Sequence, residues 1–219
     1  MCSTQALLHA DLHSGSVMAS EGTTFVIDPE FAFYGPMGFD VGALMSNLLM
    51  SYFSQAETNG PEFAEWVLSQ LISLHESFTQ KFLALWDSSS SSSSSPPPSS
   101  ASAGGEHFRA AVFSSRALVT AAQQGYMAAL WTDSLGFAGA KMIRRIVGIA
   151  HVADLESIAD ADARAACEKK CLHLARAMVL ASSTSSSASA SAQVFPNIHA
   201  LAARAREIYA APAPATLAA

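Results

Sequence analysis

Apolar positions along this chain recur mostly at helical spacing, and the β-favouring stretches are confined to its first part. From Phe39 to Phe53, the residues Leu44, Leu48, Leu49, Tyr52 and Phe53 share a helical face, and Asp40 stands near the start as a plausible cap. Pro61 and Glu62 open a second helix, whose Phe63, Val67, Leu71, Leu74, Phe78, Phe82 and Leu85 form a steady stripe of period about 3.6. A third pattern runs from about Glu106 to Trp131 with Phe108, Val112, Leu118, Val119, Tyr126 and Leu130 as its apolar face. Asp133 or Ser134 is placed to cap a further helix over Gly139 to His151, which is apolar around most of its circumference. A last long helix is expected from Asp154 to about Leu180, and a short one after Pro196.

Two short apolar runs break this pattern. Ala6-Leu7-Leu8 precedes a polar, Gly-containing loop, and Thr24-Phe25-Val26-Ile27 precedes Asp28 and Pro29, the proline ending the strand. Two low-complexity tracts divide the helical part. One, at 88–105, is rich in Ser and Pro, and the other, at 182–193, in Ser and Ala. Neither has anything to bury, so both are expected to be disordered insertions, tolerated because loop-closure entropy grows slowly with length. The chain then parses into 1–87, the insertion, 106–181, the second tract, and 194–219 as a short helix and tail.

Composition supports one domain with a real core. Half of the 219 residues are hydrophobic and only 14% are charged, so some apolar surface is expected to seek a cover, either a second subunit in a homodimer or a missing lobe. The net charge of −6, with 12 Lys and Arg, argues against nucleic acid, because neutralising phosphates needs a basic patch. Three cysteines, with Cys167 and Cys171 four apart on a helix, point to packing in a reducing compartment. The longest apolar run, Val41 to Phe53, is broken by Ser46 and Asn47 and is too short to span a bilayer, so the protein is expected to be cytoplasmic.

The chemistry concentrates in His9-Ala10-Asp11-Leu12-His13-Ser14-Gly15-Ser16 and in Asp28-Pro29-Glu30. An H-x-D loop can offer a carboxylate to a substrate hydroxyl, and an acidic pair after the next strand can hold a metal on nucleotide phosphates. Asp28 and Glu30 are two apart on an extended segment and so share a side, and hard oxygens so placed suit Mg2+. Alone, an H-x-D is also what a turn with a polar cap looks like. His9 and His13, four apart, would suit zinc on a helix, but neither a third ligand nor an H-E-x-x-H glutamate accompanies them. Arg144 and Arg145 sit in an apolar helix, where a guanidinium needs an anion. That anion is a phosphoryl group or, structurally, Asp28, Asp40 or Asp154.

The runs Leu7 to Met18 and Val26 to Gly42, together with Gly139-Ala140-Lys141-Met142-Ile143-Arg144-Arg145-Ile146-Val147-Gly148-Ile149-Ala150-His151, closely resemble the S-methyl-5-thioribose kinases, and the resemblance covers most of Leu7 to Met178. It implies a mostly α, α+β fold: the C-terminal lobe of a protein-kinase-like enzyme of the aminoglycoside-phosphotransferase type, with a small β element around the catalytic loop. It implies that Asp11 is the catalytic aspartate, Asp28 and Glu30 the metal pair, Arg144 and Arg145 the substrate-side arginines, and Ser16 a weak cofactor-side ligand where protein kinases carry Asn. His9 and Asp40 fall to support, Asp40 by bracing the loop through backbone amides. The reaction implied is transfer of the ATP γ-phosphoryl group, with Mg2+, to the 1-hydroxyl of methylthioribose in methionine salvage.

Two departures stand out. Ala10 replaces the usual Gly, so a positive φ there would strain the loop by about 1 kcal/mol or more. Only ten residues precede Asp11, no G-x-G-x-x-G or G-x-x-x-x-G-K-[ST] occurs, and Lys81, Lys141, Lys169 and Lys170 all fall in helical patterns. The expectation is a C-terminal lobe without its N-terminal lobe. Another small-molecule phosphotransferase of the same fold, or a non-catalytic lobe acting as a binding partner, remain the alternatives.

Overall fold

The computed structural model describes residues 4–91, 115–183 and 194–213. Residues 6–35 form two antiparallel ribbons. Strand β1 (Ala6–Leu8) pairs with β4 (Phe33–Gly35), with Leu7 opposite Tyr34. Between them, β2 (Val17–Ser20) and β3 (Thr23–Val26) make a hairpin in which Gly22, the second of the two turn residues, takes φ 80, a conformation that favours glycine. Leu8, at the end of β1 where the His9 loop begins, lies opposite Phe33, and the loop is tied to the first turn of α1 (Gly38–Thr58) through Asp40.

The described residues divide into two compact units, one of 4–72 with 130–213 and the other of 73–129. In the larger unit the core is helical. Met45, Leu49, Tyr52 and Phe53 of α1 meet Leu68 and Leu71 of α2 (Pro61–Ser91), Leu135 and Met142 of α3 (Arg116–Val147), Leu174 and Met178 of α5 (Ala161–Ser183), and Leu201 and Ala205 of α6 (Ile198–Ala210), all buried. Cys167 and Cys171 are buried in the same cluster as free thiols, in keeping with their spacing on one helical face. Burial, reinforced by Cys167 beside it, pushes the Cys171 thiol well up. Trp131 fixes the chain entering α6, donating from Nε1 to the Phe195 carbonyl at 2.7 Å. The smaller unit holds an aromatic group in which Tyr126 stacks on Phe82 at 5.5 Å and meets Trp86 edge-on. There Asp87 pairs with Arg116 and accepts from Gln123.

Several helix limits differ from the sequence expectation, each for a local reason. No break occurs at Asp133 and Ser134, and α3 runs through them. The Ser134 hydroxyl donates to the Leu130 carbonyl one turn back at 2.7 Å, so it serves the helix interior rather than a cap. Helix α3 stops at Val147, and the next helical turn is the short α4 (Ala153–Glu156). The helix expected from Asp154 to Leu180 is split, because the Asp160 carboxylate accepts the Ala163 amide at 2.7 Å and starts α5 afresh. Asp40 lies in the first turn of α1 and does not cap it, since its oxygens are committed to the His9 loop.

The serine tracts also begin inside helices. Ser88 to Ser91 extend α2, with the Ser88 hydroxyl donating to the Leu85 carbonyl. Ser182 and Ser183 end α5 in the same way, on the Val179 and Leu180 carbonyls. The remainder of the expected insertions, 92–105 and 184–193, and the expected start of the third helix at 106–114, lie outside the described residues. No described helix is long and apolar enough to cross a membrane.

Candidate active site

The His9 to Ser16 loop is held by side chains from three directions. Asp40 accepts the His9 amide on Oδ2 at 2.6 Å and the Ala10 amide on Oδ1 at 2.9 Å. Two successive N–H groups converge on one carboxylate because Ala10 adopts φ 72, the left-handed region that an alanine enters only at a cost of about 1–2 kcal/mol. Charge-assisted bonds of this kind are among the strong ones, and they offset that strain. The His9 ring spans the loop: Nε2 lies 2.7 Å from the Ile27 carbonyl and Nδ1 3.3 Å from the Asp11 amide. A carbonyl only accepts and an amide only donates, so His9 carries its proton on Nε2.

Beyond Asp11 the loop closes on itself and on α1. The Ser14 amide donates to Asn47 Oδ1 at 2.8 Å, and the Gly15 amide to His13 Nδ1 at 3.0 Å. The Ser16 hydroxyl is buried and donates to the Asp11 carbonyl at 3.0 Å. Its proton is thus spent on the loop backbone, which makes Ser16 a loop tie as well as a candidate ligand.

The Asp11 carboxylate is left at the mouth of a pocket. One oxygen lies 3.6 Å from an Arg145 guanidinium nitrogen, the other 3.8 Å from His13 Nε2. The pocket, about 330 Å³, is also lined by Asn47, Lys141, His151 and Asp154. Lys141 is half buried, with its ammonium 4.5 Å from the centre of the Phe39 ring, which is itself packed edge-on between Phe33 and Phe137. Burial pulls the Lys141 pKa down; Asp11 opposes that shift, while Arg144 and Arg145 add to it and Asp40 opposes it.

The two arginines part company here. Arg145 pairs with Asp11, so the anion that its partial burial demands is supplied by the Asp11 carboxylate, and not by Asp28, Asp40 or Asp154. Arg144 is exposed, as are Val147 and Ile149, so the stretch is not apolar and enclosed all round, and the burial argument applies to Arg145 alone.

Asp28 and Glu30 lie on the exposed connection between β3 and β4. Asp28 takes φ 62, so the chain turns sharply there and does not run on as a simple extended strand. Among the described residues, neither carboxylate is engaged in a hydrogen bond or ion pair, and no cluster of three or more His, Cys, Asp or Glu is placed to hold a metal. A pair of free carboxylates fits Mg2+, which takes only one or two from protein and completes its shell with phosphate and water.

Sequence reading missed Lys141, Asn47 and the pocket lining contributed by His151 and Asp154. Lys141 carried a usable signal, since it stands four residues before Arg145 and therefore on the same helical face. Asn47 carried one too, as an amide within the apolar run Val41 to Phe53.

Comparison with known proteins bears on the family of the chain. Residues 3–73 match the model of the phosphotransferase enzyme family. Methylthioribose kinase 1 of Oryza sativa subsp. japonica is 45% identical over 180 residues, which is 80% of this chain and 39% of that protein. Methylthioribose kinase of Escherichia coli O45:K1 (strain S88 / ExPEC) is 40% identical over 185 residues, 82% of this chain and 41% of its own length. That of Pectobacterium atrosepticum is 39% identical over 182 residues, covering 81% and 40%. The chain thus spans about two fifths of the length of the curated relatives it matches. Over that span the chain is similar to methylthioribose kinases, and its first part to the phosphotransferase enzyme family.

Proposed function

We propose that this chain supplies the acceptor and metal side of an ATP-dependent kinase that phosphorylates S-methyl-5-thioribose on its 1-hydroxyl. The observation that carries the reading is the braced loop: Asp40 holds two successive amides, and the Asp11 carboxylate is thereby presented at a pocket mouth beside Arg145. The similarity to methylthioribose kinases supports the acceptor.

In this reading the chain's own groups do little covalent work and much positioning. Asp11 accepts a hydrogen bond from the sugar hydroxyl and aims its oxygen at the phosphoryl group, taking the proton as the new O–P bond forms and the γ-phosphorus bond to the bridging oxygen of ATP breaks, with ADP as the leaving group. Arg145 keeps Asp11 oriented and meets negative charge that develops on the transferred group, with Arg144 on the outer side of the same helix. Asp28 and Glu30 would hold Mg2+ on the nucleotide phosphates, and Ser16 would stand nearby as a weaker oxygen ligand. The metal, when bound, neutralises phosphate charge.

Asp11→Asn tests the assignment. The loop bonds run through backbone atoms and Asp40, so the variant should fold as the parent does while phosphoryl transfer to methylthioribose, followed by ADP release, falls by a factor of at least about 100. Near-parental turnover in that variant would remove Asp11 from the chemistry. A panel of other pentoses and amino alcohols, assayed in parallel, checks the acceptor, and a better substrate among them would displace methylthioribose.

A further inference from the structure

We propose that Lys141 is a phosphoryl-binding residue of the acceptor pocket, contacting the phosphate oxygens of the phosphorylated sugar. This inference rests on the functional reading above for the nature of the ligand, but the observations behind it are independent of that reading.

Lys141 and Arg145 are one turn apart on α3, and both line the pocket that Asp11 opens into. Their situations differ. Arg145 already has a carboxylate, since Asp11 lies 3.6 Å away. Lys141 has none: among the described residues no acidic group comes within ion-pair distance of its ammonium, and its one close partner is the face of Phe39. A half-buried ammonium without an anion is costly, and a ring quadrupole compensates only part of the lost hydration. The cation is held ready by an aromatic stack running Phe33, Phe39, Phe137, which leaves its remaining N–H donors directed to the pocket side.

The charge order of the pocket then makes chemical sense. Before transfer, Asp11 and Arg145 neutralise one another. Once the phosphoryl group has moved to the sugar oxygen, the product carries about two negative charges, and the single charge of Arg145 cannot match them. Lys141 supplies the missing positive charge as a point donor, as lysines in phosphate sites do. Asp154, on the same wall, repels a phosphate but accepts hydrogen bonds from sugar hydroxyls, so it suits the polyol end. A phosphorylated polyol, with its two chemically distinct ends, fits this wall better than free phosphate does.

The chain contains four lysines, Lys81, Lys141, Lys169 and Lys170, which makes a direct readout practical. Reductive methylation with 13C gives four side-chain signals besides the amino terminus, and Lys141→Gln identifies one of them. Titration with ribose 1-phosphate is expected to shift the Lys141 signal saturably while Lys81 and Lys169 stay put. In unmethylated protein Lys141→Gln should weaken ribose 1-phosphate binding by about tenfold or more while leaving ribose binding unchanged. Lys141→Arg, which keeps the charge, should recover part of that loss. No shift at Lys141, or equal shifts at all four lysines, would overturn the inference, as would unchanged affinity in Lys141→Gln. The kinase reading fails separately: if phosphoryl transfer to methylthioribose is observed but the Lys141 signal is silent, only the lysine's role falls, and if the Lys141 signal responds while no transfer occurs, the anion site stands without the kinase.

Discussion

At the scale of single residues, Ala10 is the sharpest compromise in the chain. A left-handed φ of 72 is required for two successive amides to reach Asp40, and an alanine accepts that conformation reluctantly. Ala10→Gly removes a steric cost of about 1–2 kcal/mol and adds about 0.4–1 kcal/mol of unfolded-chain entropy. The variant should therefore be more stable by about 0.5–1 kcal/mol in urea denaturation at constant m. A lower midpoint would show that the loop is not strained at Ala10. The strain was legible from the sequence, because a glycine was expected there. The arrangement of charge was less so. The family resemblance placed Asp11, Asp40 and the arginine pair in one account, yet gave no means to know that Arg145 would pair with Asp11 while Arg144 faced solvent. Adjacent helical residues point about 100° apart, and only the packing of α3 against α1 decides which of the two turns inward.

At the scale of elements, that packing depends on places where a side chain is missing. A Cβ added at Gly42 of α1 would lie 2.6 Å from the Ser134 carbonyl oxygen and 2.8 Å from Phe137 Cβ, both on α3. One added at Gly139 of α3 would lie 2.6 Å from the Ala175 carbonyl oxygen of α5. The obstacles are largely backbone, which cannot rotate away, so Gly42→Ala and Gly139→Ala should each cost about 1–3 kcal/mol despite alanine's better helix propensity. Gly125 offers the contrast, since a Cβ there would meet nothing within 4 Å. Gly125→Ala should gain up to about 1 kcal/mol. Thermal unfolding of the three variants tests the set, and stabilisation in either of the first two would mean that the helices are not in close contact there. Helix existence was well marked in the sequence, since Leu49, Leu71, Leu174 and their neighbours keep strict helical spacing. Helix limits were not. Ser134 was available as a cap and instead bonded the turn behind it, while Asp160, unremarked in sequence, became the cap that splits α4 from α5. Polar side chains near a boundary can serve either geometry, and tertiary contacts choose between them.

At the scale of the whole molecule, the alkaline limit of stability is set by a tyrosine in the core of the larger unit. Tyr52 is 2% exposed, and its pKa is pushed up to about 12, chiefly by burial, then by the charge of Glu65, with Arg206 opposing and Tyr209 adding to it. A phenol whose pKa is raised in the folded state keeps more protons there than in the unfolded chain between pH 10 and about 12. Its contribution is therefore intact below pH 10 and lost as pH rises through that window, by up to about 2 kcal/mol. Lys141 acts in the opposite sense, because its lowered pKa leaves the unfolded chain holding more protons than the folded one just below the ordinary lysine value. Comparing parent and variant separates the two. Tyr52→Phe should leave the stability near pH 8 within about 1 kcal/mol and flatten the fall between pH 10 and 12 in guanidinium titrations. If parent and Tyr52→Phe lose stability in parallel across that range, the buried phenol is not the group responsible. The acid side has no counterpart of this weight. Arg206 holds the Glu65 carboxyl below its usual range through a hydrogen bond, so that pair stabilises above the ordinary glutamate pKa and fades as pH falls through the lowered one. Glu65 and Arg206 are both about half exposed, and solvent screening keeps such a pair's worth small, so the descent in base should be steeper than this pair's contribution in acid.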